Sequence, residues 1–200
     1  MMNISFEIVP RTQAAFLEQY RFVQSLGTGI NFINVPDIQR FNIRSWQVHD
    51  QINRQQYRFI PHLRAIDFKL EGDELFRIIE DNQLSDLLLV SGDPPEGLKR
   101  AFYNTDVVDL IRVLKRRYPT LNLYAGFDPH RQGLQAECDY IQRKRDAGVT
   151  GFFSQPFFDI RMVEIYAEQL QGVDTYIGLS PITTSASMHY WEVKNKVRFP

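Results

Sequence analysis

"DVVDLIRVLKRRYPTLNLYAGFDP", residues 106–129, reads as one helix followed by one strand. Asp106 is a good N-cap, because its side-chain oxygen can accept from the free N–H groups of a first helical turn. Pro119 sets the far end, since it has no N–H and cannot continue a helix. Beyond it, "LNLYAGFDP" (121–129) is β-rich and closes on Asp128-Pro129.

The same alternation runs along the whole chain. The other strand-like runs are "ISFEIVP" (4–10), "INFINVP" (30–36), "FIPHLRAID" (59–67), "DLLLVSGD" (86–93), "GFFSQPFF" (151–158) and "TYIGLSPI" (175–182). Helical stretches lie between them. "TQAAFLEQYRFVQSLG" ends at Gly27, "DELFRIIEDNQ" follows Gly72, "LQAECDYIQRKRDAG" ends at Gly148, and "IRMVEIYAEQLQG" ends at Gly172. In the last of these Met162, Ile165, Tyr166 and Leu170 share one apolar face. Strands alternating with helices imply parallel pairing through right-handed crossovers. Seven βα units suggest an α/β fold of the (β/α)8 TIM type more than an open doubly wound sheet, with residues 1–200 forming one barrel domain. The eighth unit is missing or supplied otherwise, because the closing "VRFP" is too short to serve as a strand. Polar residues gather at strand ends, at Asp67, Asp93, Asp128 and Gln155, where such folds keep their chemistry.

Composition bounds the function. The chain has 200 residues, 44% of them hydrophobic, enough for a substantial core. Its 23 basic and 24 acidic side chains nearly cancel, so charge makes no case for nucleic acid or an anionic membrane. No apolar run approaches the ~18 residues of a membrane span. The N-terminus lacks the pattern of a signal peptide, and the single cysteine, Cys138, has no internal disulfide partner. A cytoplasmic protein is the default expectation.

Several residues stand out as candidates. Glu7 sits among Ile4, Phe6, Ile8 and Val9. Strand alternation sets Ser5, Glu7 and Val9 on one face and Ile4, Phe6 and Ile8 on the other. If the apolar set meets the helices, Glu7 points inward near the C-terminal mouth, where desolvation would suit it to proton donation. The pattern admits a second reading equally, a structural ion pair with an inward Arg such as Arg64. In "SGDPPEG" (91–97) Gly92 would let a ligand approach the backbone and Asp93 offers a carboxylate, although an ordinary turn with an N-cap Asp explains the same residues. His62 reads as a hydrogen-bonded core histidine, whereas His130, after Pro129, is better placed for binding. Arg143 and Lys144 either complement a helix C-terminus or clamp a phosphate. Gln155 could hydrogen-bond a heterocycle. No His, Cys, Asp and Glu group has metal-ligand spacing, and neither G-x-G-x-x-G nor a P-loop is present.

Taken in order, these pieces resemble the methylenetetrahydrofolate reductase family. "SFEIVPR" is similar to its S-F-E-F-x-P-P-[KR], "PHLRAID" to P-H-L-T-C-I-D, and "LLLVSGDPPEG" to L-A-L-R-G-D-x-P. "YAGFDPH" resembles A-x-Y-P-E-x-H, and "RKRDAGVTGFFSQPFFD" resembles R-K-V-D-A-G-A-x-x-x-I-T-Q-x-F-F-D, the most specific match. "IGLSPI" and "VRFP" resemble G-I-x-P-[IV] and V-R-[IV]-P. The resemblance implies a barrel that binds FAD, takes a hydride from NAD(P)H and reduces 5,10-methylenetetrahydrofolate to 5-methyltetrahydrofolate, within one-carbon metabolism and methionine biosynthesis. It implies Glu7 as general acid, Asp93 between flavin and pterin, and Gln155 as a substrate amide. His62, Gly92, Asp93, Ala125, Phe127, His130, Arg143 and Lys144 match cofactor positions. The chain departs from the pattern at cofactor-facing and substrate-facing positions: Ser91 stands in place of Arg, Phe127 in place of Tyr, the loop before His130 is one residue shorter, Ser185 falls near the family's substrate-stacking Phe, and "INVPD" lacks the usual V-T-x-G-A. Two further expectations accompany the first: a flavin-free reductase drawing directly on NAD(P)H, or a non-catalytic folate-binding subunit. A homo-oligomer or a partner subunit could complete the barrel.

Overall fold

The fold is seen in a computed structural model that describes residues 3–27, 29–70, 72–94 and 102–200. Pro95, Glu96 and Gly97 of the "SGDPPEG" turn lie outside the described residues. The strands are β1 (Ile4–Glu7), β2 (Ile30–Val35), β3 (Arg58–Arg64), β4 (Asp86–Val90), β5 (Asn122–Phe127), β6 (Gly151–Pro156) and β7 (Asp174–Gly178). The helices are α1 (Gln13–Ser25), α2 (Glu74–Asp81), α3 (Val107–Arg117), α4 (Leu134–Asp146), α5 (Ile160–Gln169) and α6 (Ser185–Lys194). The strands follow one another in the sheet in sequence order, β1 to β7. A doubly wound sheet reverses its order at a switch point, whereas sequential parallel order with helical crossovers is that of a (β/α)8-type chain. The fold class is therefore α/β of the TIM type with seven βα units, and no eighth strand occurs among the described residues.

The chain divides into two compact units, Met1–Leu123 and Tyr124–Pro200. In the first, β1 pairs with β2 and β2 with β3, all parallel, and β3 pairs with β4 through His62–Leu88 to Arg64–Val90. Leu87, Leu88 and Leu89 of β4 are all buried, as expected of a parallel strand covered on both faces. The apolar stripe of α3, Val107, Leu110, Ile111 and Leu114, is buried as well. In the second unit β6 pairs with β5 and β7. There Phe127, Phe152, Phe157 and Tyr166 form one aromatic core, with Phe127 and Tyr166 ring centroids 5.4 Å apart.

The helix starts obey local chemistry. Thr12 accepts from Ala15 N at 3.2 Å, Asp106 from Val108 N at 2.7 Å and Asp159 from Arg161 N at 2.8 Å. Strands end earlier than the apolar runs suggest, although Ile8 N still donates to Asn34 O at 2.9 Å just past β1. The second crossover carries a short 3₁₀ segment, Ser45–Gln51, and no α-helix. α6 follows β7 with none of its residues buried, so it leaves almost no apolar periodicity in the sequence.

Candidate functional site

Three strands of the first unit carry a polar row across one face. Asn34 Nδ2 donates to Ser5 Oγ at 2.8 Å, and His62 Nε2 lies 2.9 Å from Asn34 Oδ1. Only a protonated Nε2 can donate to that carbonyl oxygen, so the tautomer is set. Asn34 and His62 are buried, and burial lowers the His62 pKa to about 3, keeping the ring neutral. Ser45 Oγ ties the His62 carbonyl at 2.6 Å.

Glu7 ends β1 directly opposite Asn34 in the ladder. It shares a face with Ser5, and the neighbouring Phe6 turns the other way to meet Phe22 of α1, ring centroids 6.5 Å apart. The alternation read from residues 4–9 therefore holds: the aromatic side meets the helix, and the carboxylate lies on the side of the polar row. Water reaches Glu7, yet the surrounding protein displaces enough bulk solvent to push its carboxyl up to about 7. Among the described residues no hydrogen bond or ion pair reaches that carboxylate. Arg64, the alternative partner, is engaged elsewhere: its guanidinium donates to the backbone carbonyl of Asp93 and lies 3.9 Å from Asp67.

A charged set follows at the ends of β2 and β3. Arg44 bridges Asp37 and Asp67, reaching the latter at 3.1 Å, and Gln39 donates to Asp67 at 2.7 Å. Asp37 is buried with one carboxylate oxygen unpartnered, and burial outweighs Arg44 to raise it to about 6. At the end of β4, Asp93 is exposed. Gly92 has φ +82°, a region that favours glycine, and a Cβ there would stand 2.7 Å from Arg64 Nε. The close approach that Gly92 permits is thus made by Arg64.

In the second unit, β6 slips register between Phe153 and Pro156, and this irregularity leaves Gln155 exposed with no hydrogen-bond partner among the described residues. His130 Nε2 donates to Pro156 O at 2.9 Å, and its backbone N–H donates to Asp128 Oδ1 at 2.8 Å. The sequence-marked basic pair divides. Arg143 is exposed and lies over the Tyr140 ring at 4.9 Å, whereas Lys144 is buried and donates to Gly126 O at 2.7 Å. Ala125 and Phe127 are buried on the face of β5 that meets the Tyr166 core. The opposite face of this unit stacks Phe153 on Tyr176 at 4.3 Å with Tyr124 edge-on.

The sequence reading overlooked Asn34, Asp37 and Arg44. Asn34 had a signal of the same kind as Glu7, a polar residue inside the apolar run "INFINV". Arg44 had none, because it lies in the irregular crossover.

A family model described as methylenetetrahydrofolate reductase matches residues 1–200. Among curated proteins, the 5,10-methylenetetrahydrofolate reductase of Escherichia coli is 28% identical over 148 residues, covering 70% of this chain and 49% of that protein. The enzyme of the same name from Salmonella typhimurium matches to the same extent. The chain thus spans about half the length of the curated relatives it matches. Among solved structures, an uncharacterized protein from Clostridium thermocellum that binds two copies of 5-methyl-5,6,7,8-tetrahydrofolic acid superposes with a TM-score of 0.71 at 16% identity, over 98% of this chain and 72% of that one. Oxaloacetate acetylhydrolase follows at 0.62 and 13%, over 91% and 69%. At such identities the structural likeness speaks for the fold.

Proposed function

The chain belongs to the methylenetetrahydrofolate reductase family, and from that premise we propose that it reduces 5,10-methylenetetrahydrofolate, or a related one-carbon pterin, to the 5-methyl form with NAD(P)H. The observation that carries the reading is Glu7. It is a carboxyl raised to about 7, at the C-terminal end of β1, without an ion-pair partner among the described residues. A group that retains its proton near neutrality can give it to N10 of the substrate. The bond from N10 to the bridging methylene breaks, its electrons stay on N10, and an iminium forms at N5. A hydride added to that carbon completes the methyl group, and NAD(P)+ is left. Asp93, exposed and polar at the end of β4 in the same unit as Glu7, is the proposed pterin contact. The ligand printed for the Clostridium thermocellum neighbour is of the same class.

The family's flavin meets a chain that does not fit it in the conformation seen. Arg64 fills the approach to Gly92, Lys144 is committed to Gly126 O, and Ala125 and Phe127 turn into the aromatic core. Of the proposed FAD-binding side chains, only Asp93, His130 and Arg143 retain exposed or partly exposed surface. No step is therefore routed through FAD, and this observation favours direct transfer from NAD(P)H. Absorption spectra and steady-state kinetics separate the readings. A colourless protein that oxidises NAD(P)H only when methylenetetrahydrofolate is present supports direct transfer. A flavin band near stoichiometry restores the relay. Folate binding without NAD(P)H oxidation would leave a non-catalytic folate-binding protein, and absence of both would refute the proposal.

A further inference from the structure

We infer that Arg64 is the positioning residue for Asp93: its guanidinium reaches from the end of β3 across Gly92 and holds the turn that carries this carboxylate. The inference rests on the reading of Asp93 as a folate contact.

Arg64 is 7% exposed, and a guanidinium is buried only where its charge and donors find partners. Those partners are the Asp93 carbonyl and, more distantly, Asp67. Asp67 is itself immobilised by Arg44 and Gln39, so the anchor behind Arg64 is fixed from two sides. The turn is built to receive the side chain. A Cβ on residue 92 would stand 2.7 Å from Arg64 Nε and 3.1 Å from Arg64 Cβ, so glycine is required there for Arg64 as well as for φ +82°. Upstream, the β3–β4 ladder continues one step past the strands, with Ile66 N donating to Ser91 O at 3.2 Å. Beyond Ser91, the bond from Arg64 to the Asp93 carbonyl is the one hydrogen bond that reaches residues 92–94 among the described residues. Among the described residues, the turn therefore has a ladder on one side and a single charged tether on the other. Arg64 touches Asp93 through the backbone, which leaves the Asp93 carboxylate exposed for a ligand.

The test uses the full chain and 5-methyltetrahydrofolate as the probe. Arg64→Met should raise backbone mobility at residues 92 and 93, read as ¹⁵N order parameters falling from the rigid range to below about 0.6. It should raise the dissociation constant for the probe by about tenfold, measured by calorimetry. In an Asp93→Ala background the same change should move that constant little, because no carboxylate remains to be misplaced. Arg64→Lys, which keeps the charge with a single donor group, should recover part of both effects. Gly92→Ala, which displaces the guanidinium from the other side, should reproduce Arg64→Met and serves if the latter does not fold. Unchanged order parameters at 92 and 93 overturn the inference, and so do additive losses in the double variant. Wild-type affinity in Asp93→Ala alone would instead sink the folate reading of Asp93, and the order parameters would then decide by themselves whether Arg64 holds the turn.

Discussion

Replacing Glu7 by Gln tests the proposed chemistry most directly. The substitution keeps shape and polarity and removes the proton. With a carboxyl pKa of about 7, roughly half of the molecules hold that proton at pH 7. Were the value the ordinary 4.5, well under about 1% would hold it. The raised pKa therefore increases the competent fraction at neutral pH on the order of a hundredfold. Turnover of methylenetetrahydrofolate by the wild type should then be flat at acid pH and fall about tenfold per unit above pH 7. Glu7→Gln should lose about 10²–10⁴ in kcat and lose that alkaline limb as well, because no titrating acid remains. Binding of 5-methyltetrahydrofolate should change far less, since the product needs no proton. The assay is NAD(P)H oxidation between pH 5 and 9, with product affinity by calorimetry. Stability supplies an independent reading. The folded-state pKa lies above the unfolded one, so the contribution of Glu7 is fully present below about pH 4.5 and is lost as pH rises through about 7. Relative to wild type, Glu7→Gln should therefore gain thermal stability across that window and none below it. A variant with wild-type kcat, or one whose Tm difference is independent of pH, refutes the assignment.

His62, buried and neutral with its pKa lowered to about 3, contributes stability that is full above about pH 6.5 and lost as pH falls through 3; His62→Ala should cost about 1–3 kcal/mol at pH 7 by leaving Asn34 Oδ1 unpaired, and should flatten the acid limb of a Tm-against-pH curve. Phe152→Ala removes a fully buried ring from the second unit's aromatic core and should cost about 3–5 kcal/mol in denaturant unfolding. The neighbours Arg143 and Lys144 should part company. Lys144→Met should lower Tm by stranding Gly126 O, whereas Arg143→Ala should leave Tm nearly unchanged, and equal effects on Tm would contradict their different burial. If a flavin is bound after all, Arg143→Ala should lower its retention on gel filtration.

The contrast between Arg143 and Lys144 shows where reading the chain stops. Both follow from "QRKRDAG" as cations in a last helical turn, and nothing in that string says which of the two faces the sheet. Helical phase against β5 decides it, by turning Lys144 toward Gly126 O and Arg143 toward water. Gly92 behaves likewise. Its need for glycine is legible in "SGDPP", but the string offers only a ligand's approach or an ordinary turn as the reason and gives no sign of Arg64.

By itself the sequence determined the order of the seven strands and of the helices up to α5, the strand ends that carry polar residues, and the side of β1 on which Glu7 lies. These follow from local rules: caps, proline stops and the two-residue period of a strand are short-range and survive in a string of letters. The charge state of Glu7, the His62–Asn34–Ser5 row and the path from Arg44 through Asp67 to Arg64 were decided only by tertiary structure. Apart from the Arg64–Asp67 step, three positions long, they join residues 23 to 29 positions apart, and their physics lies in desolvation and in which donors meet which acceptors. Glu7 stands exposed at the end of β1, and the push on its carboxyl toward about 7 comes from desolvation by protein distant in sequence, which no neighbouring residue could supply.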